Sequence, residues 1–160
     1  MPETTQDAEP YILFDLAGTI YGVKSREVLH MEMIEQITPV PNAKPFVEGV
    51  VLSRGQVIPA LNLRVRFGFP RVPHTLRSRL LVVQAGERAV GLIVDSARDF
   101  RTIPQNVIQP PDAAIAGTTG KFLSGIASLG DQLTLLLDLK STLNLLEAES
   151  NPLGAEAAIA

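Results

Sequence analysis

The residues of this chain that could carry acid–base or nucleophilic chemistry are His30, His74, Ser53, Ser124 and Ser128. None of the serines stands in a nucleophile-elbow pattern, and neither histidine has an obvious orienting acid or any metal-ligand spacing. The chain has no Cys, which removes disulfides and thiolate metal sites. Gly117-Thr118-Thr119-Gly120 is not followed by the Lys of a phosphate loop, and Asp95 and Asp99 read as solvated loop carboxylates because their surroundings are strand-like. Arg54 has the best functional case. In Ser53-Arg54-Gly55 a guanidinium rides on a short glycine-bearing turn, which holds its planar donor fork at a defined position, suited to a carboxylate or carbonyl on another protein. The other readings of Arg54 are an ordinary surface arginine or a brace between two halves of the molecule.

The elements that must position Arg54 are short. Val50 to Leu52 and Val57 to Leu61 flank the polar island as a β-hairpin, Asn62 stands where a helix N-cap belongs, and Gly68 with Pro70 stops that helix after about a turn. The unit recurs without a gap when Gly125 is laid on Gly49: Gln132 falls on Gln56, Leu137 on Leu61, Asp138 on Asn62 and Lys140 on Arg64. Upstream, Tyr11 to Val23 echoes Leu80 to Val94, with Ala17-Gly18 against Ala85-Gly86 and Gly22 against Gly91. Two matches in the same order point to two copies of one β-unit.

Length and composition bound the rest. At 160 residues, with 46% hydrophobic and 19% charged residues, 12 Gly and 12 Pro, the chain is a turn-rich β protein able to bury a core. Its acidic polar start is unlike a secretory signal, and no apolar run approaches a membrane span, so a cytoplasmic location is expected. A net charge of −3 argues against generic nucleic-acid binding. Charge is uneven, however: Lys44, Arg54, Arg64, Arg66, Arg71, Arg77 and Arg79 face the single acid Glu48 between residues 44 and 79. That belt reads as a solvated loop face or as a surface for an acidic partner.

Along the chain, Tyr11 to Leu16 and Thr19 to Val23 form a first hairpin, and Val28 to Ile37 fits a helix or an irregular strand equally well. Pro59 implies a sheet edge or bulge in its strand. Residues 69–78 connect the halves, Leu80 to Val94 is a second hairpin, Asp95 to Ile103 extends as a strand, and residues 104–120 form the longest loop. After the repeat hairpin, Asp138 caps a helix with Leu139, Leu143 and Leu146 on its apolar face. Residues 1–10 are expected to be disordered and 149–160 frayed.

Gly49 to Arg64, together with Val90-Gly91-Leu92-Ile93-Val94-Asp95, Phe122-Leu123-Ser124-Gly125-Ile126 and Leu135-Leu136-Leu137-Asp138, resembles the CheW-like family of bacterial chemotaxis coupling proteins over about Tyr11 to Leu146. Departures are Ser53 where the family usually has Asn, Asn62 where it has Asp, and His30 where a glutamate is common. The resemblance implies an all-β fold of two five-stranded SH3-like barrels packed side by side with a C-terminal helix. The barrels are expected at about 11–68 and 79–137, with 69–78 as linker and the helix at 138–148. It implies a non-catalytic adaptor without cofactor or metal. The expected partners are the regulatory domain of the histidine kinase CheA and the cytoplasmic tip of a chemoreceptor. By family position, Arg54 with Ser53, Gly55 and Arg79 would face the receptor, and Val28, Met31 and Gly49 the kinase. Val28, Leu29 and Met31 read equally as core. The alternatives are a paralog serving pili, gliding or another sensory output and, in another class, a nucleic-acid-binding β-barrel.

Overall fold

The computed structural model describes residues 8–111 and 121–143. Their strands are β1 (Ala8–Leu16), β2 (Thr19–Lys24), β3 (Val28–Met33), β4 (Val47–Ser53), β5 (Gln56–Asn62), β6 (Arg79–Ala85), β7 (Arg88–Val94), β8 (Ser96–Pro104), β9 (Ile108–Gln109), β10 (Leu123–Leu129) and β11 (Gln132–Leu137). Helix α1 is Leu63–Arg66, and residues 139–143 form the described part of a helix, α2. The expected Leu146, the Gly117-Thr118-Thr119-Gly120 segment and the expected frayed tail lie outside the described residues. Residues 8–10, expected to be disordered, belong to β1, because β8 runs long enough to pair with them from Ala8↔Pro104 onward. Val28 to Met33 is a strand after a one-turn 3-10 helix at Ser25–Glu27. Part of the expected 104–120 loop is also ordered, as a 3-10 turn and β9.

The chain is all-β and its strands form two sheets, β8-β1-β2-β11-β10-β9 and β3-β6-β7-β5-β4, the two SH3-like halves of the molecule. The expected division into barrels at 11–68 and 79–137 is corrected by this order. The first hairpin, β1-β2, pairs with the last, β11-β10, through the parallel contact Leu135↔Tyr21, whereas the two middle hairpins join through Leu61↔Leu92. Each half therefore takes strands from both ends of the expected split. β2 is paired on one edge with β1 and on the other with β11, so after the 3-10 turn β3 crosses to the other half and docks on β6.

The duplication is visible in bond detail. Asn62 N donates to Phe46 O and Asp138 N to Phe122 O, both at 2.7 Å, and each hairpin shifts register at the equivalent place, between Val47 and Gly49 and between Leu123 and Gly125. In the upstream pair the two turns are Ala17-Gly18 and Gly86-Glu87, one residue off the sequence alignment, since Leu16↔Thr19 and Ala85↔Arg88 close them. Asn62 and Asp138 both cap helices, accepting from Val65 N and Ser141 N. Pro59 sits where its missing N–H costs nothing. Val50 opposite it spends both its N–H and its C=O on Thr38, and the pairing to β7 starts only at Ala60.

Alternation along the strands sends side chains to three cores. Leu80 and Val82 fill one half with Val51, Ile58 and Ile93, and Tyr11 and Leu13 fill the other with Ile103, Ala127 and Leu136. Leu81, Val83, Phe14 and Leu16 point the other way, into a shared core with Leu61, Leu63, Leu137 and Leu139. Strands buried on both faces read as continuous apolar runs, which is why Leu80 to Val83 shows no alternation in sequence. The interface between the halves is thus itself a hydrophobic core. Its centre is a row of rings, Phe14–Tyr21–Phe67–Phe122, with neighbouring centroids 5.1 to 5.8 Å apart.

Candidate functional site

The β4–β5 turn projects Arg54 from the end of the second sheet. Arg54 and Gly55 have φ of +52° and +82°, the pattern of a type I′ hairpin turn. Arg54 is exposed and makes no hydrogen bond or ion pair among the described residues, which leaves its donor fork available and rules out the brace reading within them. The brace between the halves is made by Arg64. From α1 it donates to both oxygens of Asp95, Nε to Oδ1 at 2.9 Å and Nη2 to Oδ2 at 2.7 Å, while Ala17 N on the β1–β2 turn donates to Oδ2 at 2.9 Å. Burial works to raise the Asp95 pKa, but the Arg64 and Ala17 donors outweigh it and hold the carboxyl below its usual range. Asp95, expected to be a solvated loop carboxylate, is therefore structural. Arg64 and Asp95 lie on segments far apart in sequence, so no local pattern could have announced the pair.

The basic belt is largely spent inside the molecule. Arg71 pairs with Glu48, Arg66 is stacked 4.7 Å from the centroids of both Phe46 and Phe122, and Arg79 donates to Leu76 O and Ser78 O. The acidic-partner and nucleic-acid readings of that belt lose their basis, since most of its cations already have partners. Arg79, expected on the receptor face, is half-buried and closes the linker onto its own chain.

Ser53 is 4% exposed, and its hydroxyl is engaged in a side-chain cluster with His30 and Glu32. Oε2 of Glu32 accepts from His30 Nε2 at 2.6 Å and from the Ser53 hydroxyl, and the two donors are 3.0 Å apart. His30 thus has the acid partner that its sequence context did not reveal. The signal was a spacing of two, which puts His30 and Glu32 on one face once the segment is a strand. The arrangement is not a hydrolytic relay: serine and acid share the same ring nitrogen, and the serine proton is committed to the acid.

On the other face of β3, Leu29, Met31 and Met33 are exposed, whereas Val28 packs against the shared core. Leu52 and Val57, a cross-strand pair beside Arg54, are 72% and 69% exposed. Leu29 and Val57 line one groove of about 620 Å³, and Met33 and Leu52 line another of about 250 Å³, so the two apolar groups adjoin. Gly49 is away from this patch and buried: at φ +148° it lies under Thr38, and any Cβ would overlap the Thr38 carbonyl. Its requirement for glycine comes from its own chain.

A surface of a turn arginine without a partner among the described residues and clustered apolar side chains is equipped to bind protein. The profile described as the CheW-like domain matches residues 10–147. The chain belongs to the CheW-like domain family. Among curated CheW-like relatives, the chemotaxis protein CheW of Rhizobium meliloti is 31% identical over 137 residues, covering 86% of this chain and 88% of that one. Protein FrzA of Myxococcus xanthus is 30% identical over 127 residues, 78% of each chain. The crystal structure of the scaffolding protein TtCheW from Thermoanaerobacter tengcongensis superposes with a TM-score of 0.77 at 30% identity, covering 84% of this chain and 92% of that one. Within this CheW-like fold, Arg54 and Gly55 stand exposed at the β4–β5 turn and Met31 is exposed on β3, while Ser53, Gly49, Val28 and Arg79 are turned inward or held by their own chain.

Proposed function

We propose that this chain is a non-catalytic adaptor of a bacterial chemosensory array, joining the regulatory domain of the kinase CheA to the cytoplasmic tip of a chemoreceptor. The observation that carries the reading is the CheW-like match over residues 10–147 together with the common fold. The surface supports it. Arg54 offers a bidentate donor to a receptor carboxylate or carbonyl, and Leu29, Met31, Met33, Leu52 and Val57 offer the apolar area on which association depends. Among the described residues no helix is long and apolar enough to cross a membrane. Residence in the cytoplasm at receptor arrays fits that, with attachment through partners.

The test is reconstitution with the kinase and a receptor cytoplasmic fragment. The chain should be required for receptor-dependent kinase activity, and binding to neither partner would overturn the reading. For the kinase contact we take exposed Met31 as the probe: Met31→Glu should weaken kinase binding by about 10-fold, on the order of 1.4 kcal/mol, with the fold intact. The similarity to FrzA favours a second reading, a CheW-like adaptor of another motility output. Which receptors co-purify from the native host separates the two.

A further inference from the structure

The two edge strands of the second sheet, β3 and β4, share no ladder bonds; β3 pairs with β6, and β4 with β5 and, at one bridge, with Thr38. Side chains join them at Glu32, where the β3 residue His30 and the β4 residue Ser53 both reach the same oxygen. The cluster is largely shielded, with the His30 side chain 16% exposed and that of Glu32 26%. Shielding strengthens such hydrogen bonds and makes an unpaired member costly. Ser53 is also the residue immediately before Arg54, and its cross-strand pair with Gln56 is the last pair before the turn. Whatever fixes Ser53 fixes the base of the turn. In the duplicate hairpin Leu129 and Gln132 hold the same positions, with Gly130-Asp131 as the turn, and a leucine there can make no such bond.

We infer that His30, Glu32 and Ser53 are positioning residues for Arg54: they pin the arginine turn to the neighbouring edge strand β3, so that the donor fork meets the receptor from a rigid base. This rests on the receptor reading of Arg54 and adds what holds it. A turn with two positive-φ residues and, among the described residues, no side-chain partner for its arginine would otherwise move independently of β3, and each immobilisation would be charged against binding.

Amide hydrogen exchange and receptor-fragment binding, measured on Ser53→Ala and Glu32→Ala alone and combined with Arg54→Ala, test it. Exchange at the Gly55 and Gln56 amides should accelerate at least 10-fold in both single variants, while the Asp131 and Gln132 amides of the duplicate hairpin stay unchanged. Receptor binding should weaken 3- to 10-fold in each single variant, kinase binding should stay within 2-fold, and neither substitution should weaken receptor binding further once Arg54 is Ala. Unchanged exchange at the Arg54 turn overturns the inference without any reference to a partner. So does a receptor loss that persists at full size in the Arg54→Ala background, or an equal loss for the kinase, since either shows a general structural effect. Accelerated exchange with Arg54→Ala binding receptor normally would leave the pinning established and overturn the receptor reading instead.

Discussion

Arg54 carries two separable burdens. A non-glycine residue at φ +52° pays a backbone cost of about 1 kcal/mol, which its side chain does not recover through any bond among the described residues. Arg54→Gly should therefore raise the melting temperature slightly while abolishing receptor-stimulated kinase activity. Arg54→Lys should lose most of that activity too, because one point charge cannot reproduce a planar fork. Loss of stability and activity together in the glycine variant would place Arg54 inside the fold. Asp95 makes the opposite case of a charge used internally. Its folded pKa is depressed, so its contribution is present above the unfolded value of about 4 and disappears as pH falls through the lower folded value. Melting temperature against pH should fall more steeply below pH 4 in the parent than in Asp95→Asn, and parallel curves would refute this. Sequence made Arg54 legible because a glycine turn frames it. It left Asp95 and Arg64 illegible, since their pairing depends on which strands meet.

At the scale of elements, the hairpins and their caps were readable because their determinants are local: a glycine turn, alternating apolar residues, an Asx cap. Strand β3 was not, since its apolar positions satisfy two periodicities and only docking on β6 selects the strand. The duplicated hairpins offer an internal comparison. Gly49 at φ +148° lies against the backbone carbonyl of Thr38, whereas a Cβ at Gly125 would meet the Ile108 side chain at 2.6 Å and Gln109 O at 3.2 Å. A Cβ at Gly49 would carry the strain of a positive φ and overlap a backbone carbonyl held by the Thr38–Val50 bridge, whereas at Gly125 the Ile108 methyl yields through a χ1 change or a small shift of the two-residue β9. Gly49→Ala should cost about 3 kcal/mol or more and Gly125→Ala about 1 kcal/mol, read as the shift in urea midpoint at constant slope. Equal costs would show that the bridge over Gly49 yields. The same geometry means that a bulky residue at Gly49 would impair kinase binding through the fold, which is why exposed Met31 is the cleaner probe of that face.

For the whole molecule, the repeat was legible but its pairing was not, because strand exchange between halves is decided by long-range contacts that leave no periodicity. The consequence is physical. Cutting within the 69–78 linker separates β1–β5 from β6–β11, and each fragment then holds strands of both sheets: β3, β4 and β5 without β6 and β7, and β8 to β11 without β1 and β2. Each would expose one side of the shared core, including Leu61 and Leu63 on one fragment and Leu81, Val83 and Leu92 on the other. Burial of that apolar surface is the dominant favourable term, and losing it on both fragments leaves neither able to offset its chain entropy. Residues 1–73 and 74–160 expressed separately should show no cooperative unfolding transition, and an equimolar mixture should recover one, with the receptor and kinase binding of the intact chain. A cooperative transition in either fragment alone would mean that one half folds without the other's strands. Failure of the mixture to recover any would mean that linker continuity, and not complementary strands, drives assembly.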